Sequence, residues 1–289
     1  MSKGRARAII FRDMKLPPLL DEIPDKPISL NIEGELPDPE IFTYLTVVGS
    51  RHPTNYGIES CRTLISGLAG LPIVIVSGLA VVIDSCAHKS ALEFGLPTVA
   101  VHGSGLDRSV LYPQTNIPLA EEILKSGGAL LSEFDRNASS MKYMFPARNR
   151  IMAGMSKAVL VIEAGKKSGT LITARLALDY NRDVYVVPGS IFSDTSAGSN
   201  WLISQGAGIV TGVDGLRDLL GFAGRMPKEY APPASKEESI VLDMLSEPRQ
   251  KDEILRRLGL PAHIGISLIA SMEIKGLITE RMGLIRRLD

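Results

Sequence analysis

From Tyr44 to about Leu220 the chain alternates between short apolar runs and helix-like stretches. The runs are Tyr44–Val48, Ile73–Val76, Thr98–Val101, Ala129–Leu131, Ala158–Ile162, Val184–Val187 and Gly208–Val210. Most are unbroken rather than alternating, and rich in Val and Ile, which is how strands covered on both faces read. Between them, Ile58–Leu68, Asp84–Phe94, Leu119–Lys125, Ala147–Met155, Leu171–Tyr180 and Trp201–Ser204 fit helices. Such alternation implies right-handed βαβ crossovers and a doubly wound, mostly parallel α/β sheet over residues 41–225. Residues 1–40 differ, with several prolines and acids, and read as an extended lead-in packing on this domain, with an edge strand at Ile28–Ile32. Residues 226–235, which include Pro227, Pro232 and Pro233, read as a semi-rigid linker. Residues 236–289 form a small second unit. Three helices (Ser239–Ser246, Lys251–Leu258, Ala262–Lys275) precede two short strands (Leu277–Arg281, Gly283–Arg287), the order of a winged helix-turn-helix.

Composition narrows the function classes. Lys plus Arg total 32 and Asp plus Glu total 32 in 289 residues, so bulk positive charge cannot carry nucleic-acid binding. Any anion site is a local concentration of cations and backbone N–H groups. No run approaches the roughly 20 apolar residues of a membrane span, and the start of the chain lacks the apolar region of a signal peptide. Two cysteines, Cys61 and Cys86, make no disulfide framework, and a reducing cytoplasm is the simplest compartment.

The chemistry gathers where the strands end. In open α/β sheets ligands bind beyond the carboxyl ends of the strands. Here those ends read Gly49-Ser50-Arg51, Ser77-Gly78-Leu79-Ala80, His102-Gly103-Ser104-Gly105, Glu163-Ala164-Gly165 and Pro188-Gly189-Ser190. Small residues let a ligand approach the backbone, and helix starts offer unpaired N–H groups to anions. Gly165-Lys166-Lys167-Ser168-Gly169-Thr170, opening a helix, is the best single phosphate cradle. One such loop is weak, because strand–helix turns use glycine anyway; several on one edge favour binding. Neither the dinucleotide G-x-G-x-x-G fingerprint nor the ATP-binding G-x-x-x-x-G-K-[ST] pattern is present at these loops. A second cluster, Lys142 to Arg150, joins two arginines, a lysine, Asn149 and the aromatics Tyr143 and Phe145. Cations hold a nucleic-acid backbone and aromatic faces stack on exposed bases. The alternative is a solvated helix start with Phe145 in the core.

Taken in order, these motifs resemble the bacterial DNA-processing family known as DprA or Smf. They run Val48-Gly49-Ser50-Arg51, Ser77-Gly78-Leu79-Ala80, Gly103-Ser104-Gly105-Leu106-Asp107, Tyr112-Pro113, Leu131-Ser132-Glu133, Phe145-Pro146-Ala147-Arg148-Asn149-Arg150, Ser168-Gly169-Thr170-Leu171, Val187-Pro188-Gly189 and Gly198-Ser199-Asn200. The resemblance covers about residues 15–210, and the tail is similar to the family's C-terminal winged helix. It implies a Rossmann-like domain that binds single-stranded DNA, a homodimer, and loading of the RecA recombinase during natural transformation. It also implies a short form, without the N-terminal helical domain many members carry. By resemblance Arg51 meets a DNA phosphate, Lys142 the backbone and Phe145 a base. Val82 stands where the family usually has glycine, and His102 replaces a commoner aliphatic residue.

An enzyme is the rival reading. The Gly165–Thr170 loop also resembles that of the cytokinin-activating phosphoribohydrolases, whose pattern P-G-G-x-G-T-x-x-E ends in a catalytic glutamate; here that position is Thr173. Cys86 and His88 lie two apart on one helix and face different directions. Asp84 and His88, four apart, read as a helix-start carboxylate and its structural partner. Glu133 and Glu163 are suited to orienting Arg51 or Arg150. No His/Cys cluster has metal-ligand spacing. Residues 236–289 hold nine Lys or Arg against nine Asp or Glu, a balance that disfavours strong duplex binding by the tail. The expectation is therefore a cytoplasmic, non-enzymatic single-strand binder with no cofactor or metal. Its contacts are expected at Gly49, Ser50, Arg51, Ser77, Gly78, Gly103, Ser104, Gly105, Lys142, Phe145, Arg148, Asn149, Arg150, Gly165, Lys167, Ser168, Gly169 and Thr170.

Overall fold

The computed structural model describes residues 7–10, 15–223, 236–245, 247, 249–260, 262–274, 278–281 and 283–287. The chain divides into two compact units, Met1–Arg225 and Met226–Asp289. The expected linker at 226–235 lies outside the described residues.

The larger unit is built on a nine-stranded sheet: β1 (Arg7–Ile10), β2 (Ser29–Gly34), β3 (Thr43–Val48), β4 (Ile73–Ser77), β5 (Thr98–Val101), β6 (Ala129–Ser132), β7 (Ala158–Val161), β8 (Asp183–Val186) and β9 (Gly208–Ile209). Its order is β1-β2-β6-β5-β4-β3-β7-β8-β9. From β6 to β9 every pairing is parallel, while β1 and β2 join antiparallel. This is a Rossmann-like, mostly parallel sheet, as the alternation of elements implies. The segment expected as an edge strand is displaced: β2 lies inside the sheet, between β1 and β6, with Leu30 and Ile32 buried. The outermost strand is β1, which covers the hydrogen-bonding groups β2 would otherwise leave open.

Helices α1 (Asn55–Ser66), α2 (Ile83–Glu93), α3 (Ile117–Lys125), α4 (Met144–Met155), α5 (Thr170–Asp179), α6 (Ala197–Ser204) and α7 (Val213–Leu220) link the strands. The continuous apolar runs are explained by which way successive side chains point. On β3, Tyr44 and Val48 join a core with α4 and α5, whereas Leu45 and Val47 join a core with α1 and α2. On β4, Val74 and Val76 face the first core while Ile73 and Ile75 face the second. Both faces are covered, so no polar alternation is required.

Helix starts lie up to four residues earlier than the apolar pattern suggests. Thr54 caps α1, its Oγ1 accepting from the Gly57 N–H at 3.3 Å. Pro146 sits in the first turn of α4, where a missing N–H costs nothing. Helix α7, not anticipated from the sequence, buries Leu216 and Leu220 and ends at Gly221 with φ +86°.

The smaller unit contains α8 (Lys236–Met244), β10 (Arg249–Gln250), α9 (Lys251–Leu258), α10 (Ala262–Ile274), β11 (Ile278–Arg281) and β12 (Leu284–Arg287). Its sheet order is β10-β12-β11, one short strand more than the expected hairpin. Val241, Ile254, Ile269, Met272, Ile278 and Ile285 form its core. Lys275, at the end of the third expected helix, and Met282, in the expected turn, lie outside the described residues.

Candidate functional site

Strand order reverses between β3 and β7, so the loops leaving these neighbouring strands diverge and open a crevice between them. A cavity of about 870 Å³ occupies that point. Gly49, Ser50 and Arg51 line it from β3, and Gly165, Lys167, Ser168, Gly169 and Thr170 from β7 and the start of α5. Lys142, Phe145, Arg148 and Asn149 line it from α4 and the loop before it. Arg51, Lys142 and Lys167 are exposed.

Each lining group has a local cause. At Gly49 a Cβ would come within 2.6 Å of the Ile83 side chain, so glycine is what lets β3 end against α2. Ser50 N–H donates to the Glu163 carbonyl at 2.7 Å, tying the two switch-point loops together. Around Gly169 nothing lies within 4 Å of where a Cβ would be, so a ligand could approach its backbone. The first three α5 amides are already engaged: Thr170 N–H donates to Ser168 Oγ at 3.2 Å, Leu171 N–H to the Ser168 carbonyl at 3.1 Å and Ile172 N–H to the Gly169 carbonyl at 3.1 Å.

The Arg51 guanidinium lies 5.6 Å from the centre of the Phe145 ring, which meets Tyr112 edge-to-face at 5.7 Å and 61°. Phe145 is seated by Gly103, where a Cβ would fall 2.9 Å from its ring. Arg51, Tyr112, Phe145 and Arg148 also border a side pocket of about 40 Å³ beneath this cluster. Tyr112 is half exposed and belongs to the site. Its sequence signal is an aromatic before Pro113 in the loop after β5.

Several expected contacts do other work. Arg148 is 4% exposed and is an internal clamp, not a free cation. Its Nη1 donates to the carbonyls of Gly78 (2.6 Å) and Val101, and its Nε donates to Asn149 Oδ1 (2.9 Å). The Asp84 carboxylate, 4.0 Å from Arg148, accepts from the Gly78 and Ala80 N–H groups. Arg148 thus reaches the cleft only as part of its wall, and Asn149 serves mainly as its hydrogen-bond partner. Arg150 does not line the cleft; it pairs with Glu133 and with the carbonyl of Asp25 in the lead-in. Ser77 is fully buried, its Oγ donating to the Val47 carbonyl at 2.6 Å, and Gly78 lines only the side pocket. Gly103, Ser104 and Gly105 are buried away from the cleft. At Gly105 a Cβ would strike the Arg136 carbonyl at 2.1 Å, so its smallness permits loop packing, not ligand approach. Sequence alone could not tell these uses apart, since glycine is demanded equally by a ligand and by a neighbouring chain.

The acids are structural as well. Glu163 Oε2 accepts from the N–H and Oγ1 of Thr54, fixing the start of α1 rather than orienting Arg51. His88 Nδ1 lies 2.7 Å from Thr98 Oγ1. Burial, reinforced by the Arg148 charge, pushes both His88 and His102 down to about 3, so both are neutral in the fold. Burial also raises the Asp84 carboxyl and lowers the Arg148 guanidinium. Thr173, where the phosphoribohydrolases carry their glutamate, is buried and lines the cleft. Among the described residues no group of three or more His, Cys, Asp or Glu stands close enough to hold a metal.

The model of the family DNA recombination-mediator protein A covers residues 7–221. The chain belongs to this family. It is 44% identical over 206 residues to Protein Smf of Escherichia coli, covering 71% of this chain and 54% of that protein. It is 44% identical over 192 residues to the DNA processing protein DprA of Streptococcus pneumoniae, covering 66% of each. The chain therefore spans about half to two-thirds of the length of these curated relatives. Among solved structures, DNA processing protein A of S. pneumoniae superposes with a TM-score of 0.68 at 39% identity, covering 74% of both chains. That of Helicobacter pylori, described for its single-stranded DNA binding mode, gives 0.67 at 29% identity, covering 75% of this chain and 95% of that one.

Proposed function

We propose that the switch-point cleft binds single-stranded DNA and performs no chemistry on it. The observation that carries this is the Arg51–Phe145–Tyr112 cluster bordering the same cleft as exposed Lys142 and Lys167. Arg51 and the lysines take phosphates, and the open Gly169 backbone at the start of α5 lets a phosphate approach. Phe145 and Tyr112 offer ring faces to bases, which only an unpaired strand presents. None of these groups is arranged to read a base edge, so binding tolerates sequence. The single-strand binding described for the H. pylori relative supports this reading.

The absence of chemistry is part of the proposal. It is supported by Thr173 at the position of the hydrolase glutamate and by the structural engagement of Glu163, Glu133 and Asp84. From family membership we infer a cytoplasmic homodimer that passes its strand to the RecA recombinase. Among the described residues no helix is long and apolar enough to cross a membrane. The smaller unit fits a winged-helix accessory module. Its α10 exposes Ile264 and Ile266, which suits a protein contact better than a phosphate backbone.

Fluorescence anisotropy of a labelled single strand and a matched duplex across a salt series tests the reading. Three phosphate-paired cations give a slope of log affinity against log salt of about −2, and Arg51→Ala or Lys142→Ala each flattens it by about 0.7. Equal binding of duplex, or an unchanged slope in both variants, refutes it. If neither DNA binds, the cleft serves a small nucleotide and the hydrolase reading replaces this one.

A further inference from the structure

After β8 the chain runs through Pro188-Gly189-Ser190 to Ile191 and Phe192, which are 84% and 94% exposed. Two adjacent large apolar side chains held this far into water, in an otherwise well-packed unit, call for a partner surface. The loop is not slack. Asn200 clamps Gly189, its Oδ1 accepting from the Gly189 N–H at 3.3 Å and its Nδ2 donating to the Gly189 carbonyl at 3.1 Å. Tyr56 Oη donates to the Pro188 carbonyl at 3.0 Å, and the Phe192 N–H donates to Ser190 Oγ at 3.2 Å. At Gly189 a Cβ would lie 2.1 Å from Ser196 Oγ, so the base of the loop is packed tight.

The loop continues directly into the cleft. Asp194 and Thr195, two and three residues beyond Phe192, line the cavity. The Asp194 carbonyl lies 3.2 Å from where a Cβ on Gly165 would be, so this segment abuts the anion cradle. In the sheet, β8 is on the other side of the switch point from β4 and β5, whose loops meet α4 at Arg148 and Phe145. Three to four strand spacings separate the two sides, roughly 15–20 Å. A single strand several nucleotides long can bridge that interval.

We propose that Ile191 and Phe192 form a second base-stacking lip, on the β8 side of the cleft, so that one strand is gripped by aromatic faces at both ends. The inference rests on the single-strand reading above and deepens it. The loop is pre-ordered by Asn200 and Tyr56, so little conformational freedom is lost when a base stacks on Phe192. Ile191 supplies apolar area beside it and asks for no hydrogen bond, which keeps the lip indifferent to sequence.

The test compares wild type with Phe192→Ala and Phe192→Trp on labelled oligothymidylates of two and twenty nucleotides. Phe192 is almost wholly exposed, so the melting temperature of Phe192→Ala is expected to match wild type. On the long strand its affinity is expected to fall roughly 5- to 150-fold, with the salt slope unchanged because no charge is lost. On the short strand, which cannot span both sides, the loss is expected to be at most twofold. Phe192→Trp is expected to restore binding. If wild type binds the long strand and Phe192→Ala binds it equally well, the lip is refuted while the cleft reading stands. If Phe192→Ala leaves DNA affinity intact but weakens self-association by light scattering, the lip is a protein contact and the proposal falls. If both lengths weaken alike, the residue shapes the cleft and does not stack. Failure of wild type to bind either strand refutes the underlying reading instead.

Discussion

Two neutral histidines buried beside a guanidinium should make this fold sensitive to acid. His88 and His102 are both fully inaccessible, and neither His102 ring nitrogen has a hydrogen-bond partner. In the unfolded chain each titrates near its ordinary value of about 6.5, and in the fold each is held down to about 3. Above pH 6.5 both states carry neutral imidazole and the pair costs nothing. As pH falls through 6.5 the unfolded chain takes up protons the folded one refuses, so stability is lost progressively between 6.5 and about 3. At pH 5 each histidine costs about 2 kcal/mol, and the two together about 4 kcal/mol. With an ordinary urea dependence that lowers the unfolding midpoint by roughly 1–2 M between pH 7 and pH 5. Asp84 and Glu133, whose carboxyls are raised by burial, act in the opposite sense and add stability as pH falls. The clean measurement is therefore a difference in which they cancel. His102→Leu, which replaces an unpaired polar ring by an apolar side chain, is expected to fold at least as stably at pH 7. It should abolish about half of the histidine contribution, about 2 kcal/mol, at pH 5. Urea titrations of parent and variant at both pH values suffice. An identical loss in the two proteins would refute the assignment of His102 as a buried neutral base.

Other consequences are simpler to state. Val82, at φ +64°, is a β-branched residue in backbone space that favours glycine. Val82→Gly should relieve strain of order 1–3 kcal/mol against an entropy cost of about 0.5–1 kcal/mol. The expected gain of about 1 kcal/mol appears calorimetrically as a rise in melting temperature of about 2–4 °C, and a fall would contradict it. Arg148→Met should cost about 3–5 kcal/mol in chemical denaturation, because it strands Asp84 and the Gly78 and Val101 carbonyls in the interior; a near-neutral result would show that the clamp is dispensable. The salt slopes of Arg51→Ala and Lys142→Ala, and the length-dependent loss in Phe192→Ala, complete the set.

The sequence by itself determined the architecture. Seven apolar runs interleaved with helical stretches specify a parallel sheet covered on both faces, because a strand sending alternate side chains into two cores has no polar position to reveal. It also pointed to the edge proposed to bind DNA, since small residues and cations gathered at the strand ends. What it could not settle is which of those residues face the ligand. Gly103 and Gly105 carry the same signal as Gly169, yet serve a neighbouring ring or carbonyl. Arg148 and Arg150 read as cations beside Lys142, yet one is clamped by two carbonyls beside Asp84 and the other is paired with Glu133. The position of β2 was hidden too, because β1, which covers its edge, pairs from outside the alternating pattern. The join of Phe192 to the cleft was hidden because it depends on Asp194 meeting Gly165, 29 residues away in the chain. Periodicity is written locally and can be read from neighbours along the chain. Which small or charged residue is free to meet a ligand depends on partners brought together only by the tertiary fold, where burial selects among side chains the sequence leaves equivalent.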